Sequence, residues 1–184
     1  MKSLITLLIG TQLLIAQSDL VLTGADGHDH KPFASGGKKA TVYFFVSPYC
    51  STSGTFMKEM NAITADYAER ATVYFVHSDA DQKLTDILQH AEMNEIKATV
   101  LMDHEQKLAQ HFSAKVTPEA VLTTPDGKVA YQGRINDLYL GPTKRQRQAT
   151  TKDLRDALEA LLSGKPIPIP RTEAMGCKIS GLKR

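Results

Sequence analysis

Two thiols, Cys50 and Cys177, are the residues of this 184-residue chain best suited to nucleophilic or redox chemistry. Cys50 lies in Ser47-Pro48-Tyr49-Cys50-Ser51-Thr52-Ser53-Gly54, between an apolar run and a helical pattern. A cysteine where a strand meets a helix N-terminus has a physical reason to ionise, because first-turn N–H groups and the helix dipole favour the thiolate, the reactive form. Ser47 stands three residues upstream and adds a hydroxyl within reach of that sulfur, while Pro48 stiffens the approach. Position alone leaves a second reading open, since a free cysteine also serves as a small, inert core hydrophobe.

The elements that must position this turn follow from periodicity. Ala40 to Val46 is a β-branched and aromatic run without alternation, the pattern of a buried strand. From Thr55, Phe56, Met60, Ile63 and Tyr67 fall on one helical face, with Thr52 and Ser53 as N-cap candidates. Strands are expected over Thr72–Val76 and Ala98–Met102, and helices over Lys83–Glu95 and Glu105–Phe112. Pro125-Asp126-Gly127 marks a hairpin between Ala120–Thr124 and Lys128–Gln132. Gly133 to Arg147 reads as a long loop. A last helix follows it, with Thr150 and Asp153 as a capping box, Leu154, Ala157, Leu158, Leu161 and Leu162 on its core face, and Gly164 closing it. Pro166-Ile167-Pro168-Ile169-Pro170 must be extended, because alternate prolines forbid a helix. The order predicts an α/β domain with a central mixed sheet flanked by helices over residues 19–164, and an extended proline-rich tail over 165–184.

The strand–Cys50–helix unit, Val116-Thr117-Pro118 and the Pro-Asp-Gly hairpin resemble the thioredoxin superfamily. Tyr131 to Asp137, with its Gly133-Arg134-Ile135 core, and the run from Asp153 through the prolines to Gly176-Cys177-Lys178-Ile179 are similar to its peroxiredoxin-like branch, the alkyl hydroperoxide reductase and thiol-specific antioxidant group. The resemblance implies a thioredoxin-like fold in which Cys50 is the peroxidatic or first cysteine and Pro118 the cis-proline, whose neighbouring backbone binds an extended disulfide substrate. It puts Ser47 where a threonine contacts peroxide, and brings Arg134 near the thiolate as a candidate cation, against a surface arginine paired with Asp137. The chain departs from the pattern twice: Tyr43 replaces a proline of the peroxidase signature, and Ser53 replaces the second thioredoxin cysteine. A local dithiol is therefore impossible, and resolution falls to Cys177, another protein or a small thiol. The stretch from Gly164 to Cys177, extended at about 3.3 Å per residue, reaches roughly 40 Å, enough to cross a domain of this size.

Residues 1–18 read as a signal peptide: Lys2, a mostly apolar Leu4–Ala16, then small residues in Ala16-Gln17-Ser18. The apolar run is too short to span a bilayer comfortably, so export to the periplasm or outside is expected without stable membrane insertion. In an oxidising compartment two cysteines support one bridge or one redox pair. The formal charge of +2 makes no case for nucleic acid. The leading expectation is an exported thiol-dependent oxidoreductase acting on a peroxide or protein disulfide, with an external thiol electron donor and no cofactor. The alternative is a binding module with a permanent Cys50–Cys177 disulfide. His28-Asp29-His30 invites a metal reading but fits an exposed hairpin equally well. A copper site using Cys50 with a histidine and a methionine lacks a second ligand at suitable spacing, so no metal is expected.

Overall fold

The computed structural model describes residues 19–182, and the expected signal peptide lies outside them. The chain runs β1 (Leu22–Thr23), β2 (Asp29–His30), β3 (Ala40–Phe45), α1 (Ser51–Asp66), β4 (Ala71–His77), α2 (Leu84–Met93), β5 (Thr99–Met102) and α3 (Lys107–Phe112). It continues through β6 (Val116–Thr117), β7 (Glu119–Thr123), β8 (Val129–Gly133), β9 (Tyr139–Gly141), β10 (Lys144–Arg145), α4 (Asp153–Leu162) and β11 (Cys177–Lys178).

Five strands form the central sheet in the order β5-β4-β3-β7-β8. β3, β4 and β5 are parallel neighbours, and β7 and β8 run antiparallel to complete a mixed sheet. β3 is buried along its whole length because both faces are covered. Ala40, Val42, Phe44 and Val46 pack with α1 and α4 through Met60, Ile63, Leu154 and Leu158. Tyr43 and Phe45 point the other way, against Leu108 and Phe112 of α3. The position that departs from the peroxidase signature is thus a core residue: the Tyr43 hydroxyl donates to the Pro32 carbonyl at 2.7 Å.

Three local expectations are corrected. α1 starts at Ser51 with Cys50 as its N-cap residue, so Thr52 and Ser53 lie inside the first turn. The capping box at α4 does not form, because the Thr150 amide donates instead to the Asp137 carboxylate at 2.6 Å and Lys152 is the N-cap. The long loop after Gly133 contains the β9–β10 hairpin. His30 Nε2 lies 3.0 Å from Asp26 Oδ2, beside the β1–β2 pair.

The tail docks on the sheet. The Gln132 amide donates to the Pro170 carbonyl at 3.0 Å and the Thr172 amide to the Gln132 carbonyl at 3.1 Å, which adds the tail to the free edge of β8. Gly133 permits this approach: with φ of +147°, a Cβ there would stand 2.2 Å from Thr172 Oγ1.

Candidate active site

β3 and β4 end side by side, and the turn after β3 delivers Cys50. The Val46 amide donates to the Val76 carbonyl at 3.0 Å, and the Cys50 amide closes the turn on the Ser47 carbonyl at 3.2 Å. Cys50 is extended (φ −102°, ψ 107°) at the head of the 16-residue α1. The thiol is only 3% exposed and donates to the Thr117 carbonyl at 2.8 Å. Thr117 immediately precedes Pro118, and the peptide between them is cis.

The tail completes the site. β11 pairs antiparallel with β6, placing Cys177 opposite Thr117 and Lys178 opposite Val116. Cys177 is thereby brought beside the residue that accepts from the Cys50 thiol, and both cysteines are free thiols. Gly176 lets the two backbones meet, since a Cβ there would lie 2.0 Å from the Thr117 oxygen. Past the cysteine, the Ile179 amide donates to Lys115 O at 3.0 Å and the Ser180 amide to Asp79 Oδ1 at 2.6 Å.

Electrostatics divides the two sulfurs. Burial acts to raise the Cys50 pKa, but the neighbouring Cys177 thiol, the Ser53 amide of the first helical turn and the nearby Thr117 hydroxyl outweigh it and hold the thiol below its ordinary value. That hydroxyl has no partner within ordinary hydrogen-bond limits among the described residues. Cys177 moves the opposite way, raised by burial and by the charge that develops on Cys50. The pair thus ionises at Cys50 first, while Cys177 keeps its proton.

Two expected site residues do something else. The Ser47 hydroxyl oxygen accepts from the Tyr49 amide and from Gln82 Nε2, each at 3.3 Å, so it shapes the turn. Arg134 provides no cation for the thiolate, nor does it pair with Asp137. Its guanidinium forms two 3.1 Å bonds to Asp153, a buried carboxylate in the first turn of α4. Beneath the turn lies a network not anticipated from sequence. Gln82 donates to Asp79 at 2.7 Å and pairs with His77 Nδ1 at 3.0 Å. Asp79 and Gln82 follow the carboxyl end of a parallel strand, and that position was the available signal. His77 is fully buried, and its pKa is lowered to about 3 by burial and by His90.

Cys50 also borders a cleft of ≈ 510 Å³ walled by Tyr49, Asp86, Gln89, His90 and Met93. A larger groove of ≈ 750 Å³ lies on the other side of β11, beside Ala114 and Ile179, and contains no thiol. No helix among the described residues is long and apolar enough to cross a membrane.

A cysteine at a helix N-terminus facing a cis-proline strand across a mixed sheet defines a thioredoxin-like fold. The family model described as AhpC/TSA matches residues 16–132, and the chain belongs to that family, with thiol–disulfide oxidoreductases among its structural neighbours. A hypothetical protein from Sinorhizobium meliloti 1021 superposes with a TM-score of 0.77 at 23% identity, covering 91% of this chain and 93% of its own. An uncharacterized conserved protein from Geobacillus kaustophilus gives 0.74 at 24% identity, covering 90% and 89% respectively. A secreted Mycobacterium tuberculosis disulfide oxidoreductase homologous to E. coli DsbE gives 0.58 at 13% identity, covering 81% of this chain and 98% of its own. No curated protein matches the chain. The family match includes Cys50 and Pro118 and stops short of the tail that carries Cys177.

Proposed function

We propose that this protein is an exported thiol-dependent oxidoreductase in which Cys50 is the nucleophile and Cys177 resolves it. The observation that carries the reading is the register of β11 on β6, which sets Cys177 opposite Thr117, the residue whose carbonyl accepts from the Cys50 thiol at 2.8 Å. With a hydroperoxide, the Cys50 thiolate forms an S–O bond as the O–O bond breaks. The departing alkoxide takes a proton and Cys50 becomes a sulfenic acid. Cys177 then attacks that sulfur, water leaves, and the pair stands oxidised by two electrons as a disulfide. With a disulfide substrate, Cys50 forms the mixed disulfide and Cys177 displaces the substrate thiol. Reduction needs an external thiol donor, and it attacks the exposed Cys177 sulfur, with the more acidic Cys50 as leaving group.

Measuring peroxide and disulfide turnover in the wild type and in Cys50→Ser tests this: the variant is expected to lose activity, and equal rates overturn the proposal. Export is supported by the leader pattern of residues 1–18 and is tested by N-terminal sequencing of the mature protein. A second reading, a binding module with a permanent bridge, draws support from the clamping of the tail on both sides of Cys177. It predicts a purified protein with no titratable thiol and no redox turnover.

A further inference from the structure

The strand beside the active-site sulfur is already filled. An extended polypeptide that lies antiparallel on β6 with its cysteine opposite Thr117 brings a sulfur up to Cys50. That is the register occupied by the chain's own Cys177. The occupant is held at three places: by β8 through Pro170 and Thr172, by β6 through β11, and by the Asp79–Ala80 segment through Ser180. Ile179, 4% exposed, plugs the core behind the strand. The Gly176 contact leaves no space for a second chain between the tail and Thr117. An intramolecular strand also competes at a high effective concentration, so a free peptide must first displace it. An approach to Cys50 that the tail leaves open is the cleft between the first turn of α1 and α2, bounded by Tyr49, Asp86, His90 and Met93. Its ≈ 510 Å³ admits a small molecule.

We infer that the C-terminal strand closes Cys50 to polypeptide disulfides and restricts the site to small oxidants, hydroperoxides or low-molecular-weight disulfides, that enter through this cleft. The inference rests on the oxidoreductase reading above. The oxidation step is the one already balanced: two electrons pass from the thiol pair to the peroxide O–O or the small S–S bond.

The test uses the reduced full chain with three probes: hydrogen peroxide, cystamine, and an extended peptide carrying an intermolecular disulfide. Loss of free Cys50 thiol is followed by mass spectrometry. The wild type is expected to react with hydrogen peroxide or cystamine at least tenfold faster than with the peptide. Gly176→Val, which drives the strand off Thr117, is expected to gain tenfold or more toward the peptide. Ile179→Asp detaches the same strand from behind and is expected to give the same gain if Gly176→Val fails to fold. Reaction of the wild type with the peptide as fast as with cystamine overturns the inference and leaves the oxidoreductase reading standing. So does a folded variant that gains nothing toward the peptide. A wild type inert to all three probes overturns the oxidoreductase reading itself.

Discussion

Removing the Cys177 sulfur takes away a neighbour that favours the Cys50 thiolate. Thiolate absorbance followed against pH is therefore expected to rise below the ordinary thiol range in the wild type, and to rise at higher pH in Cys177→Ala. An unchanged profile would assign the depression to the Ser53 amide and the Thr117 hydroxyl alone. His77 behaves as a base whose folded pKa, about 3, lies far below its ordinary 6.5. The unfolded chain then binds the extra proton first, so this residue's contribution is complete above the ordinary pKa and is lost as pH falls toward the folded one. From about pH 7 to about pH 5 the loss comes to about 2 kcal/mol. Urea unfolding at those two pH values checks it, and His77→Asn is expected to show a correspondingly smaller pH dependence.

At the scale of elements, close backbone approaches hold the tail where it works. In Gly133→Ala the new methyl meets Thr172 at a φ that L residues rarely adopt. Strain of this kind costs about 1–3 kcal/mol. The expected outcome is a lower urea midpoint together with faster alkylation of Cys177, whose strand loses its upstream anchor. Arg134 belongs to the same scale, because its bidentate bond ties the loop after β8 to the start of α4, which has no side-chain cap. Arg134→Ala leaves the Asp153 carboxylate without its charged partner, with only the Thr151 hydroxyl bond remaining among the described residues, and is expected to cost about 1–3 kcal/mol. The rate of Cys50 oxidation by hydrogen peroxide should stay the same. A large fall in that rate at unchanged stability would restore the arginine to the active site.

For the whole molecule, the pair of thiols joins the middle of the chain to its end. Oxidation to a Cys50–Cys177 disulfide would close a loop spanning most of the domain, and the loop-closure estimate for so long a loop is about 4–5 kcal/mol. Unfolding of the oxidised protein is therefore expected at distinctly higher denaturant than that of the reduced protein, with the difference abolished in Cys177→Ser. Equal midpoints would mean that bridge formation strains the docked tail by as much as it stabilises the fold.

Much of the fold was legible in the chain because local elements carry local signals. Non-alternating apolar runs mark β3, β4 and β5, and a 3.6-residue period marks α1 and α4. The thiol on a strand-to-helix turn was readable for the same reason, whereas Val116-Thr117-Pro118 stood out through the family resemblance. Tertiary structure alone decided the site's working geometry. β6 and β11 are two residues each, too short to leave a periodicity, and their pairing depends on a glycine that lets one backbone touch another. The partner of Arg134 and the acceptor of the Thr150 amide were equally invisible, because each choice is made between carboxylates distant in sequence. Cys50 stood out as a candidate nucleophile from its neighbours, whereas its shielding by the strand that carries Cys177 exists only once that strand has folded back upon it.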